Sequence, residues 1–122
     1  MTLRTLMVIN AVVACVFGVA FVLLPWLVYS LYGVESSEQL NYVGQLFGAT
    51  LLAIALISWP MRNVTEPSAR KPIVLAFLVG DTVGFIVSLL GQLNHVVNAL
   101  GWLTVAIYLL LALGFANFQF RK

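Results

Sequence analysis

One carboxylic acid stands inside an apolar run of this chain. Asp81 lies within "LVGDTVGFIV" (residues 78–87), about halfway along a stretch that otherwise reads as membrane-buried. An ionised carboxylate at the centre of a membrane helix costs roughly 2.5 to 3.5 kcal/mol on insertion scales. An acid in such a place either binds a proton or a cation, or forms hydrogen bonds that fix how helices pack. The sequence leaves both interpretations open.

Three other polar residues lie within plausible reach of Asp81. At a rise of 1.5 Å per residue, Asp81 lies about 13 Å into its span, Thr50 and Tyr108 about 15 to 17 Å into theirs, and Asn10 about 8 Å. A bundle that places them on facing sides would bring them together. We therefore predict a proton or ligand site formed by Asp81, Thr50, Tyr108 and Asn10.

The remaining chemistry-bearing residues are few and scattered. His95 is the sole histidine; it is a possible pigment or haem ligand, and equally a polar residue in a loop. Cys15 is the only cysteine, which excludes an internal disulfide, and a structural zinc site needs four nitrogen or sulfur ligands. Glu35 and Glu38 are too isolated for a catalytic pair. The sequence thus predicts no catalytic residue and no metal, and it identifies no lipid, quinone or pigment as a cofactor.

The elements that position these residues are read from composition and apolar runs. The 122 residues are 62% hydrophobic and only 8% charged, whereas a soluble domain carries about 25% charged residues. Four runs are near the roughly 20 residues needed to span a bilayer; they cover about 5–24, 43–60, 72–91 and 99–120. These features predict an all-α, polytopic four-helix bundle, with residues 1–122 as a single transmembrane domain.

The basic residues predict one fixed orientation. All six Lys and Arg fall on the same side of the predicted bundle, which the positive-inside rule makes cytoplasmic. We therefore expect both termini in the cytoplasm of a bacterium and the chain in its inner membrane. Six scattered basic residues are too few for a nucleic-acid surface. The six are Arg4, Arg62, Arg70, Lys71, Arg121 and Lys122.

The connection after the first run carries aromatic and turn residues. Pro25 is expected to kink the first helix or divert it along the membrane interface. Trp26, Tyr29 and Tyr32 are expected at the outer boundary, where amphipathic rings settle. "SSEQ" (36–39) resembles a helix capping box, with Ser36 as the cap and Gln39 three residues later.

Small residues recur at a spacing of four on three of the runs. Such spacing lets helices approach closely, and close packing is a main source of association energy in lipid. The partner helix can belong to this chain, to a second copy or to another subunit, so the pattern leans towards oligomerisation or docking. The residues are Ala14 and Gly18, Gly44 and Gly48, and Gly80, Gly84 and Ser88.

The chain resembles the small four-helix bacterial membrane proteins grouped as DoxX-like. The resemblance is carried by "LR" (3–4), "FGVAFVLLPWLVYSLYG" (17–33), "GQLFGATLLAIALISWPMR" (44–62) and "GWLTVAIYLLLALGFANF" (101–118). It implies a four-helix membrane bundle, and some members of that group are thought to accompany membrane oxidoreductases. It assigns no catalytic residue.

Three functions are compatible with these patterns. The leading prediction is a non-enzymatic accessory or scaffold subunit that packs, among membrane lipids, against a larger respiratory or photosynthetic complex or against its own copies. The alternative is a small proton- or cation-coupled transporter or channel that uses Asp81. The third is a pigment or haem carrier that uses His95.

Overall fold

The computed structural model describes residues 1–121, which form five helices. These are α1 (Leu3–Leu23), α2 (Pro25–Leu31), α3 (Glu38–Met61), α4 (Pro67–Leu93) and α5 (Gly101–Gln119). All but the short α2 are long and apolar enough to cross a membrane. The all-α prediction is therefore confirmed. Helices α3 and α4 begin five residues before the predicted runs, because polar residues that lower hydropathy can still continue a helix.

Helix α2 exists because proline interrupts the first apolar run. Pro25 has no amide hydrogen, and its ring disfavours helical geometry at the preceding residue. Leu24 accordingly adopts φ −135° and ψ 50°, and a new helix begins at Pro25. The predicted capping box is wrong by one residue. Ser37 is the N-cap of α3, and its hydroxyl accepts the Leu40 amide at 3.1 Å.

The long helices are arranged as two pairs. Helix α1 packs along α3, and α4 packs along α5; a smaller contact between α1 and α5 joins the pairs. Within residues 1–121, α3 does not pack along α4, so the helices form an open arc in the order α3, α1, α5, α4. Helix α2 contacts both α1 and α3. We call the end of the arc that carries α2 the α2 end.

The opposite end carries the basic residues and holds a packed core. We call it the basic end, because all described lysines and arginines lie at or near it; Lys122 lies outside the described residues. Its core joins α1, α4 and α5, and the side chains of Met7 and Phe115 are 0% exposed. The Phe115 ring centroid lies 5.3 Å from that of Phe77. The core residues are Leu3, Leu6, Met7, Val74, Leu111 and Phe115.

Small residues bring α1 and α3 together. A Cβ atom added at Gly48 would lie 2.8 Å from the Gly18 carbonyl oxygen, so only glycine permits this separation. Ala14 and Gly44 are also buried. Gly80 on α4 differs, because a Cβ atom there would meet nothing within 4 Å. The small residues of α1 and α3 thus pack inside the chain, whereas Gly80 borders open space.

Candidate functional site

A cavity of about 490 Å³ lies between the two helix pairs, on the α2 side of the core. All five helices contribute to its wall. The wall is mainly apolar and rich in aromatic rings, which come from Phe17, Phe21, Tyr29, Tyr32, Phe47 and Tyr108. Leu51 and Ile54 of α3 and Gly80 of α4 all line the cavity, although these two helices do not pack along each other.

Asp81 is the one acid in this wall. Its side chain is half-buried, and its Oδ2 atom is buried without a hydrogen-bond partner among residues 1–121. A buried polar atom without a partner loses its water and gains nothing in return. The Oδ2 atom of Asp81 therefore lacks the satisfied hydrogen bond that a purely structural acid would make.

Tyr108 lies next to Asp81 because a glycine makes room for its ring. A Cβ atom at Gly84 would lie 2.8 Å from the Tyr108 Cζ atom, so the ring covers the α4 backbone at that point. Gly84 and Asp81 are three residues apart and share one face of α4. Tyr108, Asp81 and Tyr32 all line the same cavity.

Asn10 forms part of the cavity wall beside the core. Its side chain is 5% exposed, and its Nδ2 atom donates to the Ser58 hydroxyl at 2.8 Å. The Ser58 hydroxyl in turn donates to the Ile54 carbonyl at 2.8 Å. Asn10 thus joins α1 to α3, and the structure brings three of the predicted polar residues, Asn10, Asp81 and Tyr108, to one cavity.

Thr50 is not among the residues that line this cavity. Its side chain is exposed, and its hydroxyl donates to the Leu46 carbonyl of its own helix at 3.2 Å. Counting residues gives the depth of a side chain along a helix but not the direction in which it points. The packing of Gly44 and Gly48 against neighbouring elements turns Leu51 and Ile54 towards the cavity and leaves Thr50 outside.

Three polar residues of the cavity were missed from the sequence. Tyr29 of α2 and Tyr32, the C-cap of α2, line the cavity; their position at the membrane boundary stays a prediction. The Tyr29 hydroxyl donates to the Leu40 carbonyl at 2.8 Å, and burial raises the pKa of Tyr29. The Tyr32 hydroxyl is 2.6 Å from the Thr104 hydroxyl. The signal was helical spacing, since Tyr29 and Tyr32 are three apart and Thr104 and Tyr108 four apart.

His95 lies outside the cavity, in the turn that ends α4. It is exposed, and its φ of +57° is the left-handed conformation that favours glycine. Its amide donates to the Gln92 carbonyl at 3.2 Å, and the Val96 amide donates to the Gly91 carbonyl at 2.9 Å. These two bonds form a Schellman motif. The observed role of His95 is therefore in its backbone.

Ser88 is half-buried, and its hydroxyl donates to the Phe85 carbonyl at 3.1 Å. Within residues 1–121, no group of three or more His, Cys, Asp and Glu side chains is placed to hold a metal ion.

No protein family, curated protein or solved structure matches this chain.

Proposed function

We propose that the chain is a multi-pass protein of the bacterial inner membrane, with α1, α3, α4 and α5 crossing the bilayer and both termini in the cytoplasm. Support comes from their apolar length and from the basic residues at one end. Cysteines introduced at Ser36 and Ala69, in a Cys15→Ala chain, test the orientation. A membrane-impermeant maleimide applied to intact spheroplasts should label the cysteine at 36 and not that at 69.

Within this membrane, the protein binds a small amphiphilic cation in the cavity between its helix pairs. The observation that carries this proposal is the buried, unpartnered Oδ2 atom of Asp81 in an aromatic-walled cavity of about 490 Å³. The volume falls within the range of roughly 300 to 1,000 Å³ that is typical of small-molecule sites. Aromatic faces attract cations, and the carboxylate supplies the opposite charge.

The shape of the cavity indicates how such a ligand arrives. The packed core lies between the cavity and the basic end, whereas α3 and α4 leave a gap that would face the lipid if the long helices cross the bilayer. A small amphiphilic cation dissolved in the membrane could therefore reach Asp81 without crossing the core. Transport coupled to a proton or cation would then require a second state in which the core opens. No catalytic step is part of the proposal.

Binding of a lipophilic cation tests this function. Purified protein is equilibrated with radiolabelled tetraphenylphosphonium, and the bound fraction is measured for the wild type, Asp81→Asn and Glu35→Gln. The two variants lose the same charge, but Glu35 lies on an exposed loop outside the cavity. We expect at least tenfold weaker binding for Asp81→Asn and unchanged binding for Glu35→Gln. Equal binding by all three proteins would overturn the proposal.

A second candidate function is the accessory or scaffold subunit, which the DoxX-like resemblance also favours. The observation behind it is the face of α4 beside the cavity, where Ala76 and Gly80 are exposed and a Cβ atom at Gly80 meets nothing within 4 Å. Such a surface accepts the close approach of another helix. Gentle extraction followed by native-gel separation and mass spectrometry should then recover a stoichiometric larger complex; migration of the chain alone would exclude it.

A further inference from the structure

A second cavity, of about 340 Å³, lies at the basic end between the start of α1 and the loop that joins α3 to α4. Arg4, Arg62 and Arg70 all contribute to its wall. Arg62 and Arg70 flank the loop between α3 and α4, and the fold brings Arg4 of α1 to the same cavity.

Two of the three arginines, Arg4 and Arg62, are held by uncharged partners. Arg4 donates to the Asn63 side-chain oxygen. Arg62 donates to the Trp59 carbonyl at 2.6 Å, and its guanidinium lies 4.0 Å from the centre of the Trp59 ring. Arg70 is half-buried and makes no side-chain hydrogen bond within residues 1–121. A guanidinium has five N–H donors, so most of the donors around the cavity are free.

The orientation rule does not account for this convergence. It asks only that basic residues lie on the cytoplasmic side of the membrane. Lys71 and Arg121 satisfy it at the same end without lining the cavity. Three like charges around one cavity repel each other, and the repulsion is relieved when an anion binds among them. The cavity is therefore complementary to an anion.

The remaining wall indicates what kind of anion fits. Thr2 and Thr65 supply hydroxyl groups, whereas Leu3, Met61 and Val64 supply apolar surface next to the bundle. A guanidinium group often binds a phosphate through two parallel N–H···O hydrogen bonds. Basic pockets beside membrane helices are known to bind the headgroups of anionic lipids. We propose that this cavity binds the phosphate of an anionic phospholipid headgroup. The site is independent of the ligand proposed for the cavity at Asp81.

Native mass spectrometry of the purified full chain in detergent tests this site. The protein is titrated separately with dioleoylphosphatidylglycerol, dioleoylphosphatidylcholine and inorganic phosphate. We expect one phosphatidylglycerol to be retained at least tenfold more tightly than phosphatidylcholine. Equal retention of the two lipids would overturn the proposal. Displacement of phosphatidylglycerol by an equal concentration of inorganic phosphate would assign the site to soluble phosphate and overturn the lipid assignment.

Matched variants locate the lipid on the protein. Arg70→Gln removes a guanidinium that has no described side-chain partner, and Lys71→Gln removes the neighbouring charge, which does not line the cavity. We expect Arg70→Gln to weaken phosphatidylglycerol retention at least tenfold and Lys71→Gln to leave it unchanged. Equal effects of the two variants would mean that the lipid responds to net charge alone, which overturns the site. The comparison of lipids on the wild type requires no variant to fold.

Discussion

The two ends of the helix arc are built from the same four long helices but differ in how they are filled. At the basic end, α1 and α5 approach closely, and a Cβ atom at Gly114 would lie 3.0 Å from the Leu6 side chain. At the α2 end, Tyr29 and Tyr32 stand between the helix pairs and border a cavity. Stability is therefore expected to be concentrated where side chains interlock, and binding where the side chains of α2 and its C-cap line the space between the pairs.

The largest expected effect comes from emptying the packed end. Phe115→Ala removes a ring that is 0% exposed and contacts Phe77. We expect the free energy of unfolding to fall by about 3 kcal/mol, which is the lower end of the range for truncating a buried phenylalanine. The lower end applies because the unfolded chain in detergent or lipid also keeps this ring away from water. Denaturation in detergent, followed by helical circular dichroism, measures this change.

Phe47→Ala provides the matched control for that truncation. The Phe47 ring is 40% exposed and touches the Phe21 ring at the cavity. Because fewer atoms surround it, its removal should lower the free energy of unfolding by about 1 kcal/mol or less, the scale of one aromatic pair. Equal losses for Phe47→Ala and Phe115→Ala would contradict the contrast between the two ends.

The next effect concerns the separation of α1 and α3. Gly48→Ala places a methyl group 2.8 Å from the Gly18 carbonyl oxygen, which forces the backbones apart. We expect a loss of about 2 kcal/mol, typical of overpacking. Gly80→Ala, in contrast, places a methyl group where nothing lies within 4 Å, and it should stabilise the protein by up to about 1 kcal/mol through helix propensity. Thermal unfolding of both variants in detergent measures the difference, and destabilisation by Gly80→Ala would contradict this description of α4.

A smaller gain is expected at the turn that ends α4. His95→Gly relieves a left-handed conformation at φ +57° and should stabilise the protein by about 1 kcal/mol. Asn94→Gly is the control, because its φ of −90° leaves no such strain to relieve. The midpoint of thermal unfolding should rise for the first variant only. A drop for His95→Gly, or the loss of a coloured ligand, would support a binding role for the imidazole.

The smallest expected effect tests the hydroxyl pair at the cavity. Tyr32→Phe and Thr104→Val each break the 2.6 Å contact between the two hydroxyls. We expect each to cost about 0.6 kcal/mol, the average for hydrogen bonds between membrane helices. The double variant should lose less than the sum of the two, because one interaction is removed in each case. Strict additivity, measured by the same unfolding assay, would show that the pair does not interact.

The sequence predicts the local features of this fold well and its cavity poorly. Apolar length is a property of each segment, so the four long helices and the break at Pro25 can be read directly. The direction in which a side chain points depends on packing between segments. Thr50 was therefore expected at the site and lies outside it, whereas Tyr32 lines the cavity and was not expected there. Asp81 was found because a lone acid in an apolar run needs no tertiary information to stand out.

Mapping where a bound cation lies tests directly whether the cavity at Asp81 is a binding site. A photoactivatable alkyl triphenylphosphonium is crosslinked to the protein in lipid vesicles, and the modified residues are identified by peptide mass spectrometry. Crosslinks should fall on the cavity wall, as at Phe17, Leu51 and Tyr108, and should disappear in Asp81→Asn and under excess tetraphenylphosphonium. Crosslinks confined to outward-facing residues such as Leu56, Val87 and Leu110, and unchanged in Asp81→Asn, would contradict the account.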